Sequence, residues 1–466
     1  MLDRVARKLR EITFDSLSPL AVDTARDAIL DTIGVTLAGA GEPAVQATMR
    51  ATGLAGDGSA TIFGSATRAS ALDAALINGV ASHALDFDDC SNTLGGHPSA
   101  PIIPALWAYG ETTGCSGSDF IAAYVAGVEV ETRIGRAVNF HHYEKGWHPS
   151  STLGVFGAAG ACSHLMKLDT GQMAHALALA ASMASGIKAN FGTMAKPYHI
   201  GHCSRNGLFA ALLAREGMTA NAGAMTDPQG FFEVYNGAGH YDADRVLDGW
   251  ADPLDIVEPG IAFKRHPCCA STHPAIDALL ALREAHGFTE ADVGSVLSWT
   301  HPRRLAHTNR PQPATGLDGK FSVQYVLARA LVHGIVSLEH FSDAAVADSA
   351  LREVMSRITA APHPQARMDT TEHFFAEVTV TLRDGTSLHH RVERPVGRDR
   401  DHPLPRGALN AKFLDCAAPG LGADQAMALL STLLILPDAA SLADLSAMLR
   451  PSKHPDDDAG LRMARN

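Results

Sequence analysis

The sequence predicts a mostly α-helical protein that consists of a large all-α domain and a smaller α+β domain. Its 466 residues exceed the roughly 250–300 residues at which a single hydrophobic core usually stops growing. Apolar residues recur at helical spacing over residues 1–262, whereas segments within 263–404 alternate polar and apolar residues as strands do. Helical spacing returns after a Pro- and Arg-rich stretch. We therefore assign 1–262 and 405–466 to the all-α domain and 263–404 to the α+β domain.

The first long helix has a recognisable start. Ser18 followed by Pro19 is an N-cap with proline in the first turn, and Ile29, Ile33 and Leu37 then follow at helical spacing. Several helices are apolar nearly all round, which indicates burial inside a bundle or at a subunit interface. Further helices, many of them rich in Ala and Gly, are predicted at about 69–84, 99–113, 118–137, 152–166, 171–186 and 203–217.

Strand patterns are confined to the predicted α+β domain. Residues 293–300 (VGSVLSWT) and 376–382 (AEVTVTL) are predicted strands, and Asp384-Gly385 is a hairpin turn after which the chain returns over 386–392. Helices are predicted between these strands, which is the pattern of an α+β domain. They lie at about 273–286 and 320–334.

Composition and charge exclude several classes of partner. The net charge is −12, whereas nucleic acids and anionic membranes attract basic surfaces. An anionic substrate would therefore need positive charge concentrated in one pocket. Seven scattered cysteines are typical of reduced thiols and not of a disulfide framework. The start of the chain lacks a signal peptide and no apolar run reaches about 20 residues, so the sequence predicts a cytoplasmic protein.

Acidic residues are concentrated in the segment HALDFDDC (83–90), which precedes the segment GGHP (95–98) with His97. Three carboxylates, of Asp86, Asp88 and Asp89, lie within four residues and repel one another. At least one of them needs a partner or a raised pKa. The alternative interpretation is an exposed acidic helix end.

The segment GWHPSS (146–151) places His148 just before a helix that is predicted to open at about Thr152. The free N–H groups of a helix N-terminus suit a carboxylate ligand. In the alternative interpretation Ser151 is only a helix cap and His148 is only a packed imidazole.

The segment KPYHIGHCSRNG (196–207) concentrates basic residues ahead of an apolar helix. Pro197 is predicted to keep Lys196 extended. Four basic residues of this segment could supply the positive pocket that an anionic substrate requires: Lys196, His199, His202 and Arg205. The alternative is a solvated basic loop.

The segment KRHPCCASTHP (264–274) begins with Lys264 and contains Thr272, a good N-cap that would place His273 at the start of a helix. Its Cys-Cys-His combination raises the question of zinc, but the spacing of zinc ligands is missing and HExxH is absent, so no metal is predicted. The segment KFSVQY (320–325) opens a further helix, and Tyr325 by itself would be interpreted as a core residue.

Several other functional motifs are missing from the sequence. There is no GxGxxG or GxxxxGK[ST] segment for nucleotide phosphates. No GxSxG elbow marks a nucleophilic serine. The sequence thus gives no support for a dinucleotide enzyme, a P-loop enzyme or an α/β-hydrolase.

Taken in order along the chain, six segments resemble the MmgE/PrpD family, whose members include dehydratases, decarboxylases and epimerases. They are HALDFDD, GGHPSAPIIPALWA, GWHPSSTLG, KPYHIGHCSRNG, KRHPCCASTHPAID and KFSVQYVLARAL. The resemblance implies a large all-α domain, a smaller α+β domain, an active site in the cleft between them, no metal or organic cofactor, and usually a homodimer. It also implies a small polycarboxylate as substrate.

The resemblance further implies a set of site residues. In the decarboxylase branch of the family the pocket residues correspond to Asp86, His97, His148, Lys196, His273 and Tyr325. Cys90 stands where that branch has a threonine, and the stretch LGGHPSAPI departs from the WGHPSDN of the methylcitrate dehydratase branch.

The predicted chemistry is removal of a proton α to a carboxylate, which requires preorganised positive charge to hold the developing enediolate. We predict His148 or Lys196 as the base and His97 or His273 as the acid.

The other candidate residues have supporting roles in this hypothesis. Tyr325 would donate a proton or a hydrogen bond, and Asp86 would orient a histidine. Substrate-binding residues, with Arg205 beside Lys196 as the carboxylate clamp, are predicted to be Arg205, Cys90, His202 and Lys264.

Three outcomes of this chemistry are open. A lyase reaction, either dehydration or decarboxylation, is the first hypothesis, and epimerisation by return of the proton from the opposite face is the second. A non-catalytic binding protein with the same fold is the alternative of another class, although binding alone would not require the full set of acids and bases.

Overall fold

The computed structural model describes residues 1–53, 58–367 and 374–451. The chain forms two compact units. Unit 1 comprises Met1–Ala84, Asp89–Gly260 and the C-terminal part from Leu409, and unit 2 comprises Leu85–Asp88 and Ile261–Ala408. Residues 452–466, which the sequence assigns to the all-α domain, lie outside the described residues.

Helices dominate the fold and the strands are few, so the predicted fold class is confirmed. In chain order the helices are α1 (Leu2–Glu11), α2 (Pro19–Gly39), α3 (Pro43–Thr52), α4 (Ala71–Ala84), α5 (Ser99–Thr113), α6 (Gly117–Val138), α7 (His141–Lys145), α8 (Pro149–Thr152), α9 (Gly154–Leu165), α10 (Thr170–Met183), α11 (Ala195–Arg215), α12 (Phe231–Asn236), α13 (His273–His286), α14 (Pro302–Thr308), α15 (Gly316–Lys320), α16 (Val323–His333), α17 (Asp343–Val346), α18 (Ser349–Met355), α19 (Arg406–Leu421), α20 (Ala423–Leu433) and α21 (Leu442–Met448). The strands are β1 (Ala60–Thr61), β2 (Arg68–Ala69), β3 (Val293–Thr300), β4 (Ile358–Pro362), β5 (Ala376–Leu382) and β6 (Ser387–Val392).

Unit 1 is a helical bundle whose central helices are buried on most sides. The Ser18 side chain accepts a hydrogen bond from the backbone N–H of Ala21 and caps α2 as predicted. The C-terminal helices pack onto the same unit: Lys412 of α19 forms a buried ion pair with Asp31 at 2.6 Å, and Trp107 Nε1 donates to Ser446 Oγ of α21 at 2.9 Å.

Close approach between α4 and α11 depends on two glycines. A Cβ atom on Gly201 would lie 2.3 Å from the Leu76 carbonyl oxygen, and one on Gly79 would lie 2.7 Å from Gly201 Cα. Both partners are backbone atoms of packed helices, so they have little room to move. Small residues therefore set the distance between these helices, as the Ala- and Gly-rich sequence predicts.

We expect Gly201→Ala to destabilise the protein by about 1–3 kcal/mol, because the added methyl group forces α4 and α11 apart. The measurement is the free energy of unfolding in urea. Gly41→Ala is the matched control, since a Cβ atom there meets nothing within 4 Å. An equal effect of the two substitutions would contradict this account of the packing.

Unit 2 contains a four-stranded sheet in the order β4-β3-β5-β6. Strands β3 and β4 are parallel, whereas β3 with β5 and β5 with β6 are antiparallel. The predicted hairpin is confirmed: Gly385 adopts φ +92° between β5 and β6, and the Leu382 N–H donates to the Thr386 carbonyl at 2.8 Å. Helices α13 and α16 pack with this sheet around a shared apolar core.

Two helix starts differ from the predictions. Helix α11 begins at Ala195, so Lys196 is helical and the prediction that Pro197 keeps it extended is wrong. Proline is tolerated in a first turn because the N–H it lacks has no intrahelical partner there. A helix also begins at Pro149, before the predicted start at Thr152, and Leu153 separates this short α8 from α9.

None of the helices in the described part of the chain has the length and apolar character that crossing a membrane requires.

Candidate active site

Unit 1 brings four histidines and one lysine together in what we call the imidazole cluster. The end of α4, the loop before α5, the residue before α8 and the first turn of α11 supply them. All except the partly buried His97 are buried. The members are His83, His97, His148, Lys196 and His199.

Two imidazoles of this cluster are joined directly. Nδ1 of His148 lies 3.2 Å from Nδ1 of His199, so one of these nitrogens must carry the proton and the other must accept it. His148 is also fixed through its backbone, because its N–H donates to the Gly186 carbonyl at 3.0 Å. Its ring packs edge-on against Phe191, with centroids 4.8 Å apart. The pair is therefore held in one arrangement by both polar and apolar contacts.

The electrostatics of the cluster favour neutral imidazoles. Burial lowers the pKa of His148 well below its usual range, and the positive charges of His83 and Lys196 act in the same direction. Burial likewise lowers the pKa of His199, with further contributions from His202 and Lys196. A neutral imidazole at neutral pH can accept a proton, so the cluster can supply a base.

His97 is oriented by the loop in which it lies. Its Nδ1 is 2.6 Å from the Asp89 carbonyl oxygen, which can only accept, so Nδ1 carries the proton. Its backbone N–H donates to Ser150 Oγ at 2.9 Å. Gly96 makes this approach possible, since a Cβ atom there would lie 2.4 Å from that hydroxyl oxygen. This tautomer leaves Nε2 of His97 as the basic nitrogen.

A buried network holds the loop that carries His97. The Asp89 carboxylate accepts a hydrogen bond from the Ser99 hydroxyl, and Ser99 Oγ lies 2.6 Å from the hydroxyl oxygen of Tyr124. Burial raises the pKa of Tyr124 well above its usual range, and the nearby Asp89 charge adds to this. The phenol therefore stays protonated and acts as a donor.

Cys90, a predicted substrate-binding residue, lies in the same loop. Its thiol is partly exposed, and Sγ is 3.8 Å from Nδ1 of His97. The structure thus places Cys90 beside the imidazole cluster.

Lys196 supplies the cation of the cluster. It lies in the first turn of α11 and is 7% exposed. Its Nζ is 5.3 Å from the centroid of the Phe191 ring, the same ring that packs against His148. A buried ammonium group beside neutral imidazoles is suited to hold a carboxylate or the negative charge that develops on it.

His202 and Arg205 lie along a different face of α11. Six and nine residues separate them from Lys196, which places Arg205 on the opposite side of the helix. Burial and the charge of Arg205 lower the pKa of His202, and Nδ1 of His202 is 3.3 Å from Ser185 Oγ. The structure therefore does not bring the predicted clamp of Lys196 and Arg205 together on one face.

Ser151 is not a helix cap, in contrast to the alternative interpretation of its segment. It lies inside α8, and its hydroxyl donates to the His199 carbonyl at 3.0 Å. This bond ties α8 to α11 next to the His148–His199 pair.

In unit 2, Asp86 and Lys264 form a buried ion pair. Lys264 Nζ is 3.3 Å from Asp86 Oδ2, and the same ammonium group donates to the Asp86 carbonyl oxygen. Asp86 has φ +53°, a left-handed conformation in which aspartate is enriched compared with most residues. Within this unit, the Asp86 carboxylate therefore pairs with a lysine.

His273 stands at the start of α13, as predicted. Its Nε2 is 3.2 Å from the Cys268 carbonyl oxygen, and its ring packs edge-on against His266 at 5.1 Å. Burial, reinforced by the charge of His266, lowers the pKa of His273 well below its usual range. His266 in turn contacts the Asp277 carboxylate at 2.9 Å.

Tyr325 lies in the apolar core of unit 2 and is fully buried. Its hydroxyl donates to the His340 carbonyl oxygen and accepts from Arg329 Nε at 3.0 Å. This position agrees with the interpretation of Tyr325, taken by itself, as a core residue.

Two members of the imidazole cluster were missing from the predicted site residues. His83 ends α4, and its ring lies 4.6 Å from that of His97 and 5.7 Å from that of His148. His199 follows Lys196 by three residues, which on a helix puts both on neighbouring positions. The sequence groups His199 with the basic residues of this segment, but it was assigned no role in the predicted site.

Comparisons with known proteins identify the family of the chain. Residues 3–244 match the MmgE/PrpD N-terminal domain, and residues 266–434 match the MmgE/PrpD C-terminal domain. Among curated proteins, the chain is 30% identical to the cis-aconitate decarboxylase of Mus musculus over 92% of this chain and 88% of that protein.

Two other relatives extend the comparison. The chain is 30% identical to the cis-aconitate decarboxylase of Homo sapiens over 82% of this chain and 80% of that protein. It is 22% identical to the 2-methylcitrate dehydratase of Cupriavidus necator over 83% of this chain and 84% of that protein. Decarboxylases and dehydratases are both lyases, and the prediction of an enzyme of this kind is confirmed. The chain belongs to the MmgE/PrpD family.

Proposed function

We propose that the protein is a lyase that removes a proton next to a carboxylate of a small di- or tricarboxylate, without a cofactor. The observation that carries the proposal is the neutral His148–His199 pair. The buried ammonium group of Lys196 lies close to the Phe191 ring, against which His148 also packs. A base and a cation are the two groups that this reaction needs.

His148 is the proposed base. Its lowered pKa keeps it neutral at pH 7, and the bond to His199 fixes its ring. When His148 takes the proton, His199 accepts a hydrogen bond from the imidazolium or passes its own proton on. His97, with Nδ1 directed at the Asp89 carbonyl, is the proposed partner that takes up or returns a proton through Nε2.

Lys196 is the proposed electrostatic stabiliser. Removing a proton beside a carboxylate places a second negative charge on the substrate, and preorganised positive charge in a buried site is most effective where that charge develops. The net charge of −12 makes such local concentration of positive charge necessary for an anionic ligand.

Among lyase reactions we favour decarboxylation. In that reaction the C–C bond to the leaving CO2 breaks, its electron pair forms the enediolate beside the remaining carboxylate, and a protonated histidine of the cluster then donates a proton to carbon. Removal of the α-proton by His148, which the exchange experiment measures, is the reverse of that last step. The support is the 30% identity to cis-aconitate decarboxylases against 22% to a 2-methylcitrate dehydratase. We also propose that Asp86, Lys264, His273 and Tyr325 contribute to activity, as their correspondence with the family implies.

The experiment is solvent exchange. The protein is incubated in D2O with cis-aconitate and with 2-methylcitrate, and loss of the α-proton signal is followed by NMR while product mass is recorded. We expect exchange together with a product lighter by CO2. A product lighter by one water molecule would indicate dehydration in place of decarboxylation. Exchange in D2O together with a product that has the mass of the substrate in H2O would indicate epimerisation. No exchange with either substrate, equal to that of Lys196→Ala, would reject the proposal.

The pH dependence follows from the lowered pKa of His148. A base works only when it is deprotonated. Because the pKa of His148 is lowered, the imidazole stays deprotonated even at pH values below 6.5, the usual pKa of histidine. We expect kcat/KM to stay level from pH 8 to below pH 6.5 and to fall only in more acidic buffer. A decline with its midpoint at or above pH 6.5 would argue against His148, provided the melting temperature is unchanged over that range.

We also propose that the protein is a homodimer. Met194, Tyr198 and Phe209 expose 59%, 46% and 38% of their surface along one stripe of α11, and such a stripe favours burial against a partner. We expect twice the chain mass of 49.1 kDa by light scattering after gel filtration, and the chain mass for the variant Tyr198→Asp/Phe209→Asp. Equal masses for the two proteins would contradict this choice of interface.

The seven free thiols support a reducing compartment, and we propose a cytoplasmic location.

A further inference from the structure

One aromatic side chain contacts two members of the imidazole cluster. The Phe191 ring packs edge-to-face with the His148 ring, with centroids 4.8 Å apart and an angle of 82° between the planes. The Lys196 ammonium group lies 5.3 Å from the centroid of the same ring, within the roughly 6 Å over which a cation is attracted to an aromatic face. The proposed base and the proposed cation thus share a neighbour to which the proposed reaction assigns no role.

The backbone fixes Phe191 relative to the proposed base. Residues 146–148 pair in antiparallel fashion with residues 186–188, and the two backbone hydrogen bonds between these segments measure 3.0 and 2.8 Å. A short helical turn, Lys188–Asn190, follows directly and ends at Phe191, whose N–H donates to the Lys188 carbonyl at 2.9 Å. The ring therefore reaches the imidazole from a segment that is hydrogen-bonded to the segment of His148.

A second turn connects Phe191 to the proposed cation. Gly192 has φ +86°, a left-handed conformation that glycine adopts without steric cost. The Thr193 carbonyl then accepts a hydrogen bond from the Lys196 N–H at 3.1 Å, at the start of α11. This turn brings the lysine side chain back to the ring that precedes it in the chain.

The first effect of the ring concerns water at His148. The imidazole is 2% exposed, and burial is the largest cause of its lowered pKa. Phe191 supplies part of that apolar cover, which disfavours the charged imidazolium. The other titratable groups that face His148 lower its pKa as well, and they are His83 of α4, His97 of the loop before α5, and Lys196 and His199 of α11.

The second effect concerns the position of the ammonium group. The face of an aromatic ring attracts a cation, and the attraction is strongest where water is excluded. Lys196 is 7% exposed, so its ammonium group meets this condition. The contact limits the positions of the charge, and preorganised charge is what stabilisation of an enediolate requires.

We propose that Phe191 is a positioning residue of the imidazole cluster, which excludes water from His148 and holds the ammonium group of Lys196 over its ring. This role rests on the proposed functions of His148 as base and of Lys196 as electrostatic stabiliser. The apolar bulk of the ring and its π face then have separate effects. The bulk sets the pH at which the base becomes available, and the π face sets the rate at neutral pH.

Three substitutions separate these effects. Phe191→Leu keeps apolar bulk beside His148 but removes the π face, so kcat/KM at pH 7 should fall by about 5- to 30-fold while His148 titrates as in wild type. Phe191→Ala removes both, so water reaches the imidazole and its pKa should rise toward the usual value of 6.5. The acid limb of kcat/KM should move to higher pH with it. Phe191→Tyr keeps both and should stay within about threefold of wild type.

The matched control is Tyr143→Leu. Tyr143 is also partly buried, and the Lys188 ammonium group lies 3.4 Å from the centroid of its ring, but that lysine is not a member of the imidazole cluster. We expect wild-type kcat/KM and an unchanged titration of His148. Equal losses in Tyr143→Leu and Phe191→Leu would assign the effect to packing in general and overturn the proposal.

The titration is measured by NMR on the full-length protein with histidine rings isotope-labelled at Cε1, and the His148 signal is the one that His148→Gln lacks. An unchanged titration in folded Phe191→Ala, or an unchanged kcat/KM in Phe191→Leu, would overturn the proposal. Because the titration does not depend on turnover, it is separable from the proposed function. A protein without activity would reject the lyase, whereas the titration would still support or overturn the role of Phe191.

Discussion

Lys196→Met should lower kcat/KM by about 10²–10³-fold, the usual effect of removing one preorganised group that stabilises developing negative charge. The side chain is buried and methionine fills nearly the same volume, so the change removes charge with little loss of packing. If the ammonium group holds the enediolate more strongly than the substrate, kcat falls more than KM rises.

The matched control for this variant is Lys188→Met. Lys188 belongs to the same unit and also packs on an aromatic ring, with Nζ 3.4 Å from the Tyr143 ring centroid, but it has no contact with the imidazole cluster in the described part of the chain. Its substitution should leave kcat/KM within about threefold of wild type, since it removes no group near the developing charge. Equal losses in the two variants would assign the effect of Lys196 to the overall charge or stability of the protein.

Sequence patterns predicted most of the fold because its helices and the β5–β6 hairpin are specified locally. The Ser18 cap and the Asp384-Gly385 turn encode their own geometry. Strand β4 was missed, since Ile358–Pro362 is short and ends in proline, and its pairing with β3 is parallel and distant in sequence. The two-residue strands β1 and β2 are too short for any periodicity to register.

The candidate site was predicted in part, for a similar reason. His97, His148 and Lys196 lie in segments with several polar residues among small ones, and the structure brings these three together. His83 looked like one more polar residue of an acidic helix end, and only the packing of α4 beside the loop of His97 reveals its place. The sequence alone does not reveal that the His83 and His97 rings lie next to each other.

The helical conformation of Lys196 determines which basic residues lie on the same side of α11. In an extended segment, Lys196 and Arg205 could face one ligand, whereas on α11 they point to opposite sides. Positive charge in the imidazole cluster therefore rests on Lys196. Arg205 follows Tyr198 by seven residues, so it lies on the side of α11 that carries the stripe proposed as a dimer interface.

His148→Gln should abolish proton abstraction, with the rate of α-proton exchange falling by about 10²–10⁴-fold, the contribution of a positioned general base. Glutamine retains a hydrogen-bonding group toward His199 but cannot take a proton at neutral pH. KM should change much less than kcat, because Lys196, and not His148, is the group proposed to hold the carboxylate. In His148→Ala, which leaves the space of the ring empty, added imidazole should restore part of the exchange, since a small base can occupy that space.

His164→Gln is the control, because His164 is another histidine of unit 1 whose pKa is lowered by burial, and its Nε2 contacts the Ile12 carbonyl at 2.7 Å. Glutamine can make that contact, so exchange should stay near the wild-type rate. Normal exchange in His148→Gln, with a melting temperature equal to wild type, would transfer the role of base to His97 or His199. Loss of exchange in both variants would indicate instead that any buried histidine of this unit is needed for the fold. Loss in His148→Gln but not in His164→Gln, together with partial rescue of His148→Ala by imidazole, is the result that the His148–His199 pair predicts.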